Sequence, residues 1–557
     1  MTGWQVACAG GVVGLSTLLF FFLLGTQSFE ARRSRPRLYA VPRPSSNAAE
    51  PCTTANLDTS GRNSSPKSFV SLSSAAAAAA AAAPIQCYAP ATGQFLGSVK
   101  ACTTDDIDRS IAAAAAAQVA WAQTSLGERK AVLRSLLRHV LDHAEDICRV
   151  ACLDSGKTML DAQLGEILVT AEKLQWTLSH GERALRPSRR PTNLLMAHKA
   201  NTVRYEPLGV VAALVSWNYP FHNMMGPVVA ALFTGNAVVV KVSEQTAWSS
   251  AWSSRAGPTR RATSRPLVAE LGGKDAFLVL DSAPPADVPR IVEIILRGTF
   301  QAAGQNCIGI ERVVAAGARY DHLVALLEPR VRALRLGPDA DVGALISDSS
   351  FARLENLVRD AVSRGARLLA GGRRFRHPDF PNGHYFQPTM LVDVTPDMAI
   401  AQQECFAPIL TMMRARSSSA EDMLAVANAP DFGLGASVHG SERDPAMADI
   451  VRGLRVGMVA VNDFAAYYAV QLPFGGVAGS GYGRFAGEEG LRGLCNLKSV
   501  CQDRFACLGV RTHIPPPVRY PVANQQKSWT FAQGVVEVGY GQGVRKVRGL
   551  GKILANM

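Results

Sequence analysis

The chain has 557 residues and eleven cysteines, but no CxxC pair and no Cys/His cluster at metal-ligand spacing. An odd, scattered set argues against a disulfide framework and against zinc, and it points to reduced thiols in a cytosol-like compartment. Aromatic residues make up only 7%, and no basic motif interleaved with aromatics accompanies the formal charge of +13, so nucleic acid is not an expected partner. The surplus sits in short clusters at Arg32, Arg33, Arg35 and Arg37, between Arg183 and Arg190, and between Arg255 and Arg265. With 48% hydrophobic and 18% charged residues, the composition fits a globular enzyme of two or three domains, not a disordered chain.

Val6 to Leu24 is uncharged and, at helical rise, about 28 Å long, enough to cross a hydrocarbon core. Met1 to Gln5 lacks the basic n-region of a secretory signal, so the run reads as a single-pass anchor in preference to a cleaved signal peptide. The arginines at 32 to 37 then leave the remainder on the cytosolic side, on the endoplasmic reticulum or another endomembrane. Residues 1–37 are taken as anchor and basic flank. Residues 38–84, rich in Ser, Pro and Asn and containing the nine alanines Ala75 to Ala83, are taken as a low-complexity linker.

From Ile85 the periodicity becomes that of an α/β protein. Strand residues flank a turn at Pro90 to Gly93, and Thr103 caps a helix through Ala122. Val210 to Val215 reads as a buried strand, Phe221 to Phe233 as a helix and Ala237 to Val240 as the next strand. Polar groups at the carboxyl ends of these strands suggest a doubly wound parallel sheet with its ligand crevice there. Further elements are expected at 351–363, 368–370, 390–394, 420–429 and 458–462. Pro473 to Gly487 is a glycine-dense loop.

Two stretches carry chemistry. In GTFQAAGQNCIGIERV, Gly298 to Val313, a helical run over 286–300 gives way to a strand from Glu311, which puts Cys307 in the loop between them. A lone cysteine is more often a small buried hydrophobe than a nucleophile. The second stretch changes that balance: Leu267 to Asp275, LVAELGGKD, reads as a strand presenting Glu270, followed by Gly272 and Gly273, which let another group come close. A thiol near its ordinary pKa is mostly protonated at neutral pH, so a neighbouring base is what it needs to attack.

ELGGKD followed 37 positions later by the cysteine of GQNC resembles the aldehyde dehydrogenase superfamily, and the resemblance covers roughly 85–499. The N-terminal run, QCYAPATG and RTHIPPPVRYPVA look most like its membrane-anchored plant and fungal branch, family 22. The resemblance implies an α/β fold with a Rossmann-type cofactor domain and an α/β catalytic domain. The implied domains are 85–272 for cofactor binding, 273–470 for catalysis, 471–500 for a return to the cofactor domain with an oligomerisation strand near 496–500, and 501–557 for a C-terminal extension. It implies NAD-dependent oxidation of an aldehyde to an acid without a metal. Cys307 would be the nucleophile, Glu270 the general base and Asn218, in SWNYP, an oxyanion donor. Lys241 and Glu244 would hold the adenosine ribose, and Glu404 and Phe406 the nicotinamide ribose, with Trp217 also lining the cofactor. Glu244 would repel a 2′-phosphate, so NAD is expected over NADP. A homo-oligomer is expected, and the anchor tilts the substrate toward long, apolar aldehydes. The alternatives are a membrane-anchored pseudoenzyme and a cofactor-free thiol hydrolase or acyltransferase. The latter usually uses a histidine base, and neither motif contains one.

The chain departs from the family pattern at Val242, Ala407 and Ala478, where proline, glycine and lysine are usual. The larger departure is one of length. Only 28 residues separate Lys241 from Glu270, whereas a single βαβ unit takes about 30 or more. The stretch 245–266, with four arginines and two prolines, has no apolar periodicity and lacks the family's Gly-Ser-Thr turn. The cofactor domain therefore reads as truncated, either by a splicing error in the assembled gene or in a real chain with a crippled cofactor site.

Overall fold

The computed structural model describes residues 84–193, 196–253, 267–464 and 469–557. The expected anchor at 6–24, the linker and most of the arginine-rich stretch lie outside the described residues. Among those described, no helix is long and apolar enough to cross a membrane.

The largest element is a seven-stranded sheet. Its strands run in the order Arg367–Ala370, Thr389–Val392, Ile409–Ala415, Arg312–Ala316, Ala276–Val279, Gly435–His439 and Met458–Val461. Every pairing is parallel except that of the first strand with the second. The inner strands are buried along their whole length except at Arg414, because helices cover the sheet, and they therefore do not show the alternation of a half-buried strand. The helix Val288–Phe300 turns Ile291, Val292 and Ile295 into this core, and Phe351–Ser363 contributes Leu354 and Val358.

A second core gathers Leu133, Leu174, Met224, Val229 and Phe233 from the helices Leu126–Asp142, Val169–Ala184 and Pro220–Phe233. These helices accompany a sheet that, among the described residues, has only two parallel strands, Val210–Leu214 and Ala237–Lys241. Here the expectation of a buried strand is corrected. Ala212 is exposed and the Leu214 side chain is 79% exposed, because a parallel strand is buried only when layers cover both faces, and one face of this pair is bare. The run before Glu270 is likewise shorter than expected. Only Ala269–Glu270 is strand, paired antiparallel to Gly481–Tyr482, while Leu267 and Leu271 face solvent.

A third sheet is antiparallel, with Cys495–Asp503 at its edge, then Lys199–Pro207, then Ser188–Arg190. The chain closes with a hairpin of two helices, Gln525–Tyr540 and Val544–Asn556.

Candidate active site

The loop bearing Cys307 begins where the helix Val288–Phe300 stops. Ala302, Ala303 and Gly304 follow with φ of 53°, 55° and 73°. A Cβ on Gly304 would lie 2.1 Å from the Ala407 carbonyl oxygen, so this position admits only glycine. Two left-handed alanines are strained, and the buried Asp161 carboxylate holds them in place: it accepts from Ala302 N at 2.9 Å and from Arg297 at 2.7 Å. Gln305 fixes the next step, donating to the carbonyls of Ala302 (3.0 Å) and Ala344 (3.2 Å) and accepting from Ile346 N (2.8 Å). Gln305 thus satisfies backbone groups on both sides of the turn. The neighbouring Asn306 differs, since its buried Nδ2 has no hydrogen-bond partner among the described residues.

The Cys307 thiol lies beside the Glu270 carboxylate, near enough for each to shift the other's hold on its proton, and Glu270 Oε1 accepts from Gly272 N at 2.7 Å. Glu404 approaches from the other side and accepts from Gly273 N at 2.9 Å. A Cβ on Gly272 would sit 2.5 Å from Glu404 Oε2, and one on Gly273 2.6 Å from the Cys307 carbonyl oxygen. The paired glycines thus do allow other groups to come close.

Enclosure pushes the Cys307 thiol well above its ordinary value, and the carboxylates of Glu270, Asp275 and Glu404 push it the same way. Burial also raises Glu270, against the pull of the Gly272 N–H and of the neighbouring Cys307 thiol. It drives Glu404 up to about 7, opposed by the Gly273 N–H and reinforced by Glu311 and Glu270. Glu404 therefore exchanges its proton near neutrality, and the shift on Cys307 favours the thiol over a resting thiolate.

Asn218 follows the strand Val210–Leu214. Its Oδ1 accepts from Ser216 Oγ (2.9 Å) and Asn223 Nδ2 (3.1 Å), which orients the amide so that Nδ2 donates to the Gln305 carbonyl at 3.3 Å, beside the cysteine loop. Its backbone carbonyl receives Lys157 Nζ at 2.7 Å, and Lys157 is ion-paired to Glu166 at 2.5 Å, both side chains being buried. Glu166 in turn accepts from His222 N at 2.8 Å. Sequence reading missed Lys157, Glu166 and Asp161. Asp161 and Glu166 stand at core-facing positions of helical runs, which is their only signal, and Lys157, in the link between two helices, has none. A second buried pair, Lys274 with Glu311, was missed too; Glu311 accepts the N–H groups of Cys405 and Phe406 and so positions the segment that carries Glu404.

Trp217 meets Phe406 edge to face at 5.4 Å between ring centroids, and Phe406 adopts φ 55°. The structure thus brings Cys307, Glu270, Asn218 and Glu404 together, with Trp217 against Phe406. Lys241 and Glu244 stand apart from them at the carboxyl end of the strand pair, bonded to each other at 2.7 Å with both side chains more than half exposed. As a cradle for a dinucleotide, the residues around Cys307 fit the nicotinamide end. The adenosine end fits poorly, since its two charged side chains are spent on each other beside a two-stranded sheet. Among the described residues, no group of three or more His, Cys, Asp or Glu is arranged to hold a metal ion.

Residues 77–256 and 253–500 match the model of the aldehyde dehydrogenase family. An aldehyde dehydrogenase-like protein of Saccharomyces cerevisiae is 49% identical over 521 residues, spanning 82% of this chain and 80% of that one. The NADP(+) succinate-semialdehyde dehydrogenase of Escherichia coli is 29% identical over 465 residues, spanning 74% of this chain and 93% of the enzyme. Among solved structures, an aldehyde dehydrogenase of Mycobacterium tuberculosis complexed with NAD+ superposes with a TM-score of 0.67 at 26% identity, covering 75% of this chain and 94% of that one.

Proposed function

The chain belongs to the aldehyde dehydrogenase family, and from that premise we propose that it oxidises an aldehyde to a carboxylic acid through a covalent bond to Cys307, with NAD as the hydride acceptor. The observation that carries this reading is the placement of the Cys307 thiol beside the Glu270 carboxylate, next to the oriented Asn218 amide. Glu270 takes the thiol proton as sulfur attacks the aldehyde carbon. The charge that develops on the aldehyde oxygen is received by the Cys307 N–H and the second N–H of Asn218 Nδ2, and losing one such donor typically raises a barrier by about 3 kcal/mol. Loss of the C–H hydrogen as hydride leaves a thioester on Cys307, and a bound nicotinamide would supply the acceptor. Glu270 releases that first proton to solvent and then deprotonates water to hydrolyse the thioester, passing the second proton to the departing Cys307 sulfur as the acid is released and the thiol restored. Glu404 and Phe406 would hold the nicotinamide ribose beside Trp217. Lys241 and Glu244 would serve the adenosine ribose, where the Glu244 carboxylate favours NAD over NADP. A cofactor-free thiol hydrolase is disfavoured, since the groups acting on Cys307 are carboxylates and not a histidine.

A second reading has its own support. The strand pair with Leu214 in water, and a family match that falls into two pieces meeting at 253–256, both favour a cofactor domain missing a segment near 245–266. On this reading the 557-residue chain binds NAD weakly, and a longer transcript would restore the site. The proposed domains are 85–272, 273–470 and 471–500. Self-association would run through the edge strand Cys495–Asp503, and residues 6–24 would anchor the chain with its catalytic part toward the cytosol, where aldehydes released from lipid are within reach. The deciding experiment is aldehyde-dependent NADH formation by the wild type and by Cys307→Ser. The variant is expected to be inactive, and undiminished turnover in it refutes the nucleophile.

A further inference from the structure

We propose that the C-terminal helical hairpin is a docking surface for an anionic lipid bilayer, with the helix Val544–Asn556 lying in the plane of the headgroups. This inference is independent of the chemistry at Cys307 and of residues 6–24. It starts from charge: between Arg504 and Met557 there are eight lysines and arginines and one acid, Glu537, so this tail holds more than half of the chain's net +13. That one acid is occupied by Lys552 at 2.7 Å.

The hairpin is well made internally but little covered. Gly534 and Gly549 let the two backbones touch; a Cβ on either would come within 2.8 Å of the other's carbonyl oxygen. Lys552 closes the pair on Gln533 (2.9 Å) and Glu537. The helices pack chiefly on each other and on the turn Pro516–Val518, so the outer side of Val544–Asn556 faces solvent. Val544, Val547, Leu550, Leu554 and Met557, spaced 3, 3, 4 and 3 apart, are between 51% and 84% exposed. At 100° per residue they fall within an arc of about 140°, with Lys546 just beyond one edge and Arg548 just beyond the other. Trp529, Val536 and Tyr540 are exposed on the first helix, and Trp and Tyr are side-chain types that settle at a membrane interface.

An apolar stripe bounded on both sides by cations matches a boundary with acyl chains below and phosphates at its own height, where lysine and arginine stems reach back to the headgroups. A nucleic acid would satisfy the cations and leave the stripe in water. A second copy of the chain would bury the stripe and oppose cation to cation.

The test is hydrogen–deuterium exchange on the full chain reconstituted in phosphatidylcholine vesicles with and without phosphatidylserine, read at residues 544–557. The readout is local, so insertion elsewhere does not enter it. Exchange should slow in the phosphatidylserine vesicles and recover in high salt. At about fivefold for each cation near the surface, the triple variant Arg545→Gln, Lys546→Gln, Arg548→Gln should lower the docking equilibrium by roughly 100-fold, seen as loss of protection. Leu550→Glu with Leu554→Glu should lose it as well, while unchanged exchange around Phe531 reports that the hairpin is intact. Equal exchange in both vesicles overturns the proposal. So does protection that follows protein concentration or added nucleic acid in place of lipid.

Discussion

The carboxyl of Glu404 gives the most quantitative test of the site. It is raised from an ordinary 4.5 to about 7, chiefly by burial. Below about pH 4.5 the group is protonated in both the folded and unfolded chain and contributes nothing. Between 4.5 and 7 the folded state binds the proton and the unfolded state does not, so stability falls as pH rises through this window. Above 7 the folded chain holds a poorly solvated carboxylate. The gap of about 2.5 units corresponds to roughly 3 kcal/mol. Glu404→Gln keeps an acceptor for Gly273 N but removes the charge, so the variant should lose this slope. Glu270 is also raised and adds a slope of the same sign to both proteins, which makes the difference between them the quantity to read. Urea unfolding at pH 5, 6, 7 and 8, for wild type and variant, should show the variant gaining relative stability as pH rises, by about 2.5 kcal/mol across the range. Parallel profiles would refute the placement of a buried, protonated Glu404 in this cluster.

Glu270→Gln should preserve a pre-steady-state burst of NADH while slowing turnover, because hydride loss precedes the water step; equal loss of both would make Glu270 structural. Gly272→Ala, forced to φ 88° and to within 2.5 Å of Glu404 Oε2, should cost about 1–2 kcal/mol for the backbone alone and lower turnover as well, measurable by unfolding and NADH assay. On the truncated-site reading, isothermal calorimetry of NAD against the 557-residue chain should find weak binding or none, and micromolar affinity would end that reading in favour of the first.

The nearness of Cys307 to Glu270 and the family were legible in the sequence because each depends on local chemistry. Gly272, Gly273 and Gly304 are the residues that close approach requires, and ELGGKD and GQNC carry that pattern in the open. The long amphipathic helices were legible for a similar reason, since Val288–Phe300 and Phe351–Ser363 announce themselves through spacing alone. What remained hidden depends on partners distant in the chain. Glu166 and Asp161 look like ordinary helix-surface charges, and Lys157 like a charge in a link between helices, until the fold buries them against the Asn218 segment and the strained turn at Ala302, more than fifty residues away in each case. The mixed state of Val210–Leu214 had the same cause: its apolar run states a preference for burial, but whether Leu214 is buried is decided by layers that other segments must supply. Sequence alone determined the chemistry available to this protein. Tertiary structure decided which charges are desolvated and which apolar faces stay open, because burial is a property of neighbours and not of the residue that undergoes it.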